Sequence, residues 1–217
     1  MAAYKVVLFD LDGTLSDPRV GITRSVQYAL GKMGIMEHDL STLEPFIGPP
    51  LQDSFAEYYR LDEISTKRAI EFYRERFKEK GMFENELYLG IPELLVALKE
   101  QDYTLVVATS KPTVFAEQIL TYFSIGQYFD LVVGSNLDGT RTSKKEIIQY
   151  ILSHYPKYAV KDFVMIGDRM HDIIGATNSG IDSIGVSYGY GSDEELANAN
   201  PTHLVTSVNA LANMLVV

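Results

Sequence analysis

Two aspartates, one residue apart, follow the first apolar run of the chain. They lie in the stretch VVLFDLDGT at residues 6–14, as Asp10 and Asp12. An ionised carboxylate at the end of a buried strand is costly without a partner, so another group must compensate for this charge. Two carboxylates at this spacing can divide the work, one as a nucleophile and the other as a general acid and base. Gly13 permits a tight turn whose N–H groups bind an anion, although an Asp-Gly turn that merely caps backbone donors is the alternative.

A second acidic pair follows another apolar run, in FVMIGDRMHD at residues 163–172. If a helix begins near residue 169, Asp168 and Asp172 face the same point above the sheet edge, where Asp10 also lies. Three carboxylates without a thiolate suit a hard divalent cation, and Mg²⁺ is the natural choice for phosphate chemistry. Taken alone, Asp168 and Asp172 could also be a helix N-cap and a first-turn acid.

Two further stretches offer groups that can bind phosphate. In LVVATSK, at residues 105–111, a strand ends in Thr109 and Ser110. Their hydroxyl and N–H groups can hold phosphate oxygens, although such residues more often cap a helix. Lys144 opens a helical pattern, where a positive charge is unfavourable for the helix, so this charge can serve another group. A solvated lysine is the commoner alternative, and Lys145 beside it is a second candidate.

These side chains need a framework that brings them together. Continuous apolar runs are typical of strands that are buried on both faces of a parallel sheet. Because helical patterns separate the runs from residue 91 onward, the sequence predicts a doubly wound α/β domain. The five runs are residues 5–9, 104–108, 131–133, 163–166 and 183–186.

The segment between the first two strands lacks any strand-like run. It is too long for an ordinary crossover, so we expect an inserted all-helical cap subdomain. Two long crossover helices packed on the sheet are the alternative. The predicted division is a core of residues 1–16 and 88–217 and a cap of residues 17–87, with helices near 19–33, 50–59 and 63–80.

Composition restricts the classes of partner. The 217 residues have a formal net charge of −10 and no cysteine. The charge disfavours nucleic acid and anionic membranes, but a local positive pocket could still bind a small phosphorylated molecule. The absence of cysteine excludes disulfides and thiolate zinc sites and fits a reducing compartment. Because the short N-terminal apolar run is typical neither of a signal peptide nor of a transmembrane span, we expect a cytoplasmic protein. The sequence contains neither a serine-hydrolase elbow nor a P-loop, and it leaves open whether the protein is a monomer or a weak dimer.

Taken in order, these stretches resemble the four motifs of the haloacid dehalogenase-like (HAD) superfamily. Residues 10–14 match motif one, Thr109 motif two, Lys144 motif three, and Asp168 with Asp172 motif four. The chain is similar to the phosphoglycolate phosphatase-like branch, whose helical cap is inserted after motif one. The resemblance implies a Rossmann-like core. One departure is Lys145, where many relatives have proline after the motif-three lysine.

The resemblance also implies a role for each site residue. Asp10 would attack phosphorus to give an aspartyl-phosphate, and Asp12 would protonate the leaving alcohol and then deprotonate water. Mg²⁺ would be bound by the side chains of Asp10 and Asp168, the carbonyl of Asp12, and Asp172 directly or through water. Thr109 and the Ser110 backbone would hold the phosphoryl group beside the Gly13 turn, while Lys144 would neutralise charge.

The function implied by the resemblance is a Mg²⁺-dependent phosphatase that hydrolyses a small phosphomonoester. Phosphoglycolate, a nucleoside monophosphate and a sugar phosphate all remain open as substrates, because cap side chains would decide among them. The alternatives are a sugar phosphomutase of the same superfamily and, from another class, a receiver-like phosphoaspartate signalling domain. Thr14 is the residue expected of phosphatases and favours the first interpretation.

Overall fold

The structure is a computed structural model that describes residues 4–216 as two compact units. The first unit contains the residues up to Ser16 and those from Leu87 onward, and the second contains Asp17–Glu86. In the described part of the chain, no helix combines the length and the apolar character needed to cross a bilayer. The strands are β1 (Val6–Phe9), β2 (Ser16–Asp17), β3 (Glu86–Leu87), β4 (Thr104–Pro112), β5 (Leu131–Ser135), β6 (Phe163–Gly167), β7 (Asp182–Val186) and β8 (His203–Val205). The α-helices are α1 (Arg19–Lys32), α2 (Leu51–Tyr59), α3 (Glu63–Glu79), α4 (Ile91–Glu100), α5 (Thr113–Tyr122), α6 (Lys144–His154), α7 (Met170–Ser179), α8 (Asp193–Ala199) and α9 (Val208–Leu215).

The first unit is built on a six-stranded parallel sheet in the order β5-β4-β1-β6-β7-β8. Strand β1 lies in the interior, where Leu8 is in register with Val106 on one side and Met165 on the other. This arrangement confirms the predicted doubly wound fold, and all five predicted apolar runs fall on strands of this sheet. Strand β8 was not predicted from the sequence. It lies at the edge of the sheet, and because His203 and Leu204 are exposed, its residues do not form an apolar run.

Both faces of the sheet are buried, which explains why its strands do not alternate apolar and polar residues. All four residues of β1 are fully buried. On one face, side chains from β1, β4, β5 and β6 form a single cluster with the apolar face of α6. From α6 the cluster takes Ile147, Ile148 and Ile151, at the helical spacing that the sequence showed. Helix α6 is thereby fixed against the sheet with its first residue, Lys144, at one end.

The second unit is helical, as the sequence predicted. It contains α1, α2, α3 and two 3-10 segments, Leu40–Phe46 and Gly81–Phe83. Aromatic side chains fill its interior: Phe46 meets Phe55 edge-on with ring centroids 5.0 Å apart, and Phe77 is buried. The chain joins the two units through β2 and β3, which form a separate two-stranded sheet.

Candidate active site

The acidic residues of motifs one and four come directly after two neighbouring strands. Asp10 follows β1 and Asp168 follows β6, and these strands are parallel partners in the sheet. Thr109 lies toward the end of β4, the other partner of β1. Because carboxyl ends of parallel strands lie at the same sheet edge, this topology places the three residues at one edge, where ligands of open α/β sheets bind.

Lys144 supplies a buried positive charge between two of these carboxylates. Its side chain is only 3% exposed, and its Nζ lies 2.8 Å from Asp10 Oδ1 and 2.6 Å from Asp172 Oδ1. Nζ also donates a hydrogen bond of 2.7 Å to the carbonyl of Ala108. Burial alone would lower the pKa of Lys144, but attraction and hydrogen bonds to Asp10 and Asp172 outweigh it and raise the pKa. Lys144 is therefore positively charged at neutral pH. Lys145, unlike Lys144, is exposed to solvent.

Asp168 and Asp172 are fully buried, and they accept hydrogen bonds from backbone N–H groups and from one hydroxyl. Asp168 accepts hydrogen bonds from Tyr190 N (2.8 Å) and from Thr14 Oγ1 (3.2 Å). Asp172, in the first turn of α7, accepts one from Arg169 N (3.1 Å). Burial, followed by repulsion from Asp172 and Asp10, raises the pKa of Asp168 well above its usual range. Burial likewise raises the pKa of Asp172 to about 6, although Lys144 opposes the shift.

The three carboxylates fit a divalent cation. Asp10, Asp168 and Asp172 each offer one oxygen, and these oxygens all lie within 4.8 Å of one another. When all three carboxylates are ionised, the single ammonium of Lys144 leaves an excess of two negative charges in a buried place. Burying such an excess is costly, and an ion with two positive charges would neutralise it. Oxygen ligands alone suit Mg²⁺.

Asp12 is not part of this cluster and forms an ion pair with a different lysine. Its Oδ2 lies 2.7 Å from Nζ of Lys111, and both side chains are at least nine-tenths buried. Its other oxygen, Oδ1, is buried and has no hydrogen-bond partner among the described residues. Burial raises the pKa of Asp12, and the attraction of Lys111 opposes that shift. Lys111 was not predicted as a site residue from the sequence, although strand alternation places residues 109 and 111 on the same face.

The candidates for binding phosphate are Thr109 and Ser110 on β4 and the turn at Gly13. Thr109 is buried, and its Oγ1 accepts a hydrogen bond of 3.2 Å from Lys111 N. Ser110, the next residue of β4, is partly exposed. Gly13 has a φ of +81°, and a Cβ there would overlap the Asp168 carboxylate, so only glycine fits the turn. The structure therefore brings Gly13 against Asp168, and Thr109 next to Lys111.

A loop after β7 supports the acidic cluster, although no role was predicted for it from the sequence. Tyr188 donates its hydroxyl to the Thr14 carbonyl (3.0 Å), and Tyr190 supplies the N–H that binds Asp168. A Cβ at Gly189 would overlap the Gly13 carbonyl and the Asp168 side chain. The alternating glycines of SYGYG were the available signal, because close backbone approach requires them.

Comparison with known proteins agrees with this geometry. The family model described as haloacid dehalogenase-like hydrolase matches residues 7–186. A 5'-nucleotidase of Pseudomonas aeruginosa is 51% identical over 212 residues, which are 98% of this chain and 96% of that protein. A phosphoglycolate phosphatase of Colwellia psychrerythraea is 29% identical over 95% of both chains. The crystal structure of a predicted phosphatase from Clostridium acetobutylicum superposes with a TM-score of 0.95, at 51% identity over 98% of each chain. The chain therefore belongs to the haloacid dehalogenase-like hydrolases, and within them it is a phosphoric monoester hydrolase.

Proposed function

We propose that the protein hydrolyses a small phosphomonoester with the help of Mg²⁺ and through a phosphorylated Asp10. The observation that carries this proposal is the asymmetry between the two motif-one acids. Asp10 is held by Lys144 inside an acidic cluster, whereas Asp12 is paired with Lys111 and keeps Oδ1 without a partner. One carboxylate is thus suited to attack phosphorus and the other to exchange a proton.

The reaction would proceed in two balanced steps. In the first, a carboxylate oxygen of Asp10 bonds to phosphorus while the ester P–O bond breaks. The electron pair passes to the leaving oxygen, which takes a proton from Asp12 and departs as an alcohol. In the second, a water molecule gives a proton to Asp12 while its oxygen bonds to phosphorus, and the electron pair of the broken P–O bond returns to Asp10.

Other residues of the chain would bind the phosphoryl group and the metal. Thr109 and the N–H of Ser110 would donate to phosphoryl oxygens, and the Gly13 turn would leave space for them. The side chains of Asp10, Asp168 and Asp172 and the carbonyl of Asp12 would hold Mg²⁺. When bound, Mg²⁺ would neutralise charge that develops on the phosphoryl oxygens.

The relatives favour a nucleoside monophosphate as the first substrate to test. The 51% identical relative is named a 5'-nucleotidase and is matched over nearly its whole length. Phosphoglycolate comes second, because the relative of that name is 29% identical, and a sugar phosphate is third. We further propose that the protein acts in the cytoplasm on such metabolites, consistent with a chain that lacks cysteine. A phosphomutase would return the phosphoryl group to a sugar without releasing phosphate, so phosphate release distinguishes the two.

The test is phosphate release from a panel of nucleoside monophosphates, phosphoglycolate and sugar phosphates, with Mg²⁺ and with a chelator. We expect turnover that the chelator abolishes, and no turnover by Asp10→Asn with an unchanged circular dichroism spectrum. Turnover by folded Asp10→Asn would refute the aspartyl-phosphate route. Full activity in the chelator would refute the role of the metal.

A further inference from the structure

Lys111 is a buried lysine whose charge the two-step reaction above does not use. It lies on β4, two residues after Thr109, and its side chain is 6% exposed. Its Nζ lies 2.7 Å from Asp12 Oδ2. A buried ammonium is costly unless a well-placed partner compensates for its lost hydration. The Asp12 carboxylate is such a partner for Lys111.

The pairing makes the two oxygens of Asp12 unequal. Oδ2 is bound to Lys111, while Oδ1 is buried and lacks a hydrogen-bond partner among the described residues. A buried carboxylate oxygen without a partner costs about 1–3 kcal/mol, and such groups call for an explanation in native structures. A substrate oxygen that exchanges a proton with Oδ1 would supply the missing hydrogen bond.

We propose that Lys111 is a positioning residue, which holds Asp12 by Oδ2 so that Oδ1 meets the leaving oxygen of the substrate. The inference rests on the proposed function and deepens it. Oδ1, the oxygen without a hydrogen-bond partner in the described part of the chain, gives up the proton in the first step and receives the proton of water in the second. Lys111 itself forms and breaks no covalent bond.

The proposal predicts a dependence on the leaving group. An alkoxide is strongly basic and needs its proton as the P–O bond breaks, whereas p-nitrophenolate leaves well without one. The value of kcat/KM reports the steps up to release of the alcohol, so loss of Lys111 should affect kcat/KM for alkyl esters far more than for the aryl ester. Hydrolysis of the phosphoenzyme is common to both esters, so kcat should fall for both.

The experiment compares Lys111→Met with the wild type on adenosine 5'-monophosphate, glycerol 2-phosphate and p-nitrophenyl phosphate. General acid catalysis contributes about 10²–10⁴-fold, so we expect kcat/KM to fall about 100-fold for the alkyl esters and less than about threefold for the aryl ester. We expect a burst of p-nitrophenolate as the phosphoenzyme accumulates. Equal losses of kcat/KM on all three esters would mean a merely structural role and would overturn the proposal.

Further variants separate the explanations. Lys111→Arg keeps a cation and should recover most of the alkyl-ester activity, and Lys145→Met, an exposed lysine on the same unit, should match the wild type. In an Asp12→Asn background, Lys111→Met should lower kcat/KM for the alkyl esters by less than about a further twofold, because the effects of coupled residues are not additive. Additive losses would overturn the inference.

If Lys111→Met does not fold, Lys111→Gln replaces it, and the coupling with Asp12→Asn decides. An inactive wild type or an active Asp10→Asn instead overturns the proposed function, and the inference with it.

Discussion

Replacing Lys144 by methionine tests the electrostatic arrangement of the site most directly. The change removes the ammonium that lies 2.8 Å from Asp10 and 2.6 Å from Asp172, and methionine keeps most of the side-chain volume. The hydrogen bond to the Ala108 carbonyl is lost as well. Two carboxylates, each at most 4% exposed as side chains, are then left without their positive partner.

The expected loss of stability follows from that burial. Breaking a buried ion pair by removing one partner costs about 3–5 kcal/mol, because an uncompensated charge remains in the interior. In a chain of this length each kcal/mol lowers the midpoint of thermal unfolding by about 2–4 °C. We therefore expect Lys144→Met to lower the midpoint by about 6–20 °C in a chelator near neutral pH.

The assay is thermal unfolding followed by circular dichroism, with Lys145→Met as the matched control. Lys145 is exposed, so its substitution should change the free energy of unfolding by no more than about 0.5 kcal/mol. Mg²⁺ should raise the midpoint of Lys144→Met more than that of the wild type, because the ion replaces the missing positive charge. The reasoning fails if the two variants unfold within about 2 °C of each other.

Three other predictions concern single positions. Relative to the wild type, metal-free Asp172→Asn should gain on the order of 2 kcal/mol as pH rises from about 4 to 6, measured by urea unfolding. The sign follows from the pKa of Asp172, which is raised to about 6 in the folded protein. Between about pH 4 and 6 the folded wild type therefore binds more protons than the unfolded chain, so its stability falls as pH rises. A stability difference between the two proteins that does not change with pH would contradict the prediction. Gly189→Ala should weaken Mg²⁺ binding, followed by isothermal titration calorimetry, because its Cβ would overlap Asp168 and the Gly13 carbonyl; unchanged affinity would show that the loop does not support the site. Gly31→Ala, in α1 with open space around the new Cβ, should stabilise the protein by about 0.5–1 kcal/mol in chemical denaturation; destabilisation would refute this interpretation of the helix.

The acidic cluster was accessible to sequence analysis because it depends on strand ends. Apolar runs in the sequence predicted β1 and β6. Parallel pairing of these strands brings Asp10 and Asp168 to one edge of the sheet. Lys144 could be singled out because a lysine at the start of a helix is locally unfavourable. What spacing alone could not decide was whether Lys144 or Lys145 faces the site, and burial in the structure distinguishes the two lysines.

The supporting contacts were not accessible in the same way, because they join segments that are distant in sequence. Tyr190 N binds Asp168 across 22 positions, and Tyr188 reaches the Thr14 carbonyl across 174. Neither contact leaves a periodic pattern in the sequence. Lys111 is a different case, since its position two residues after Thr109 was visible, but a lone lysine in a strand gives no indication of its partner.

The pairing of each aspartate with its own cation explains how identical side chains can take different roles at one sheet edge. Asp12 and Lys111 form a pair that is neutral by itself, so this carboxylate requires no metal to be stable in the interior. The cluster that contains Lys144 has two negative charges in excess when its three carboxylates are ionised, and it is the part of the site that needs a divalent cation. Removing the metal should therefore change the stability of the cluster and leave the Asp12–Lys111 pair intact. Substituting Lys111 should do the reverse, which makes the metal and the proton carrier experimentally separable.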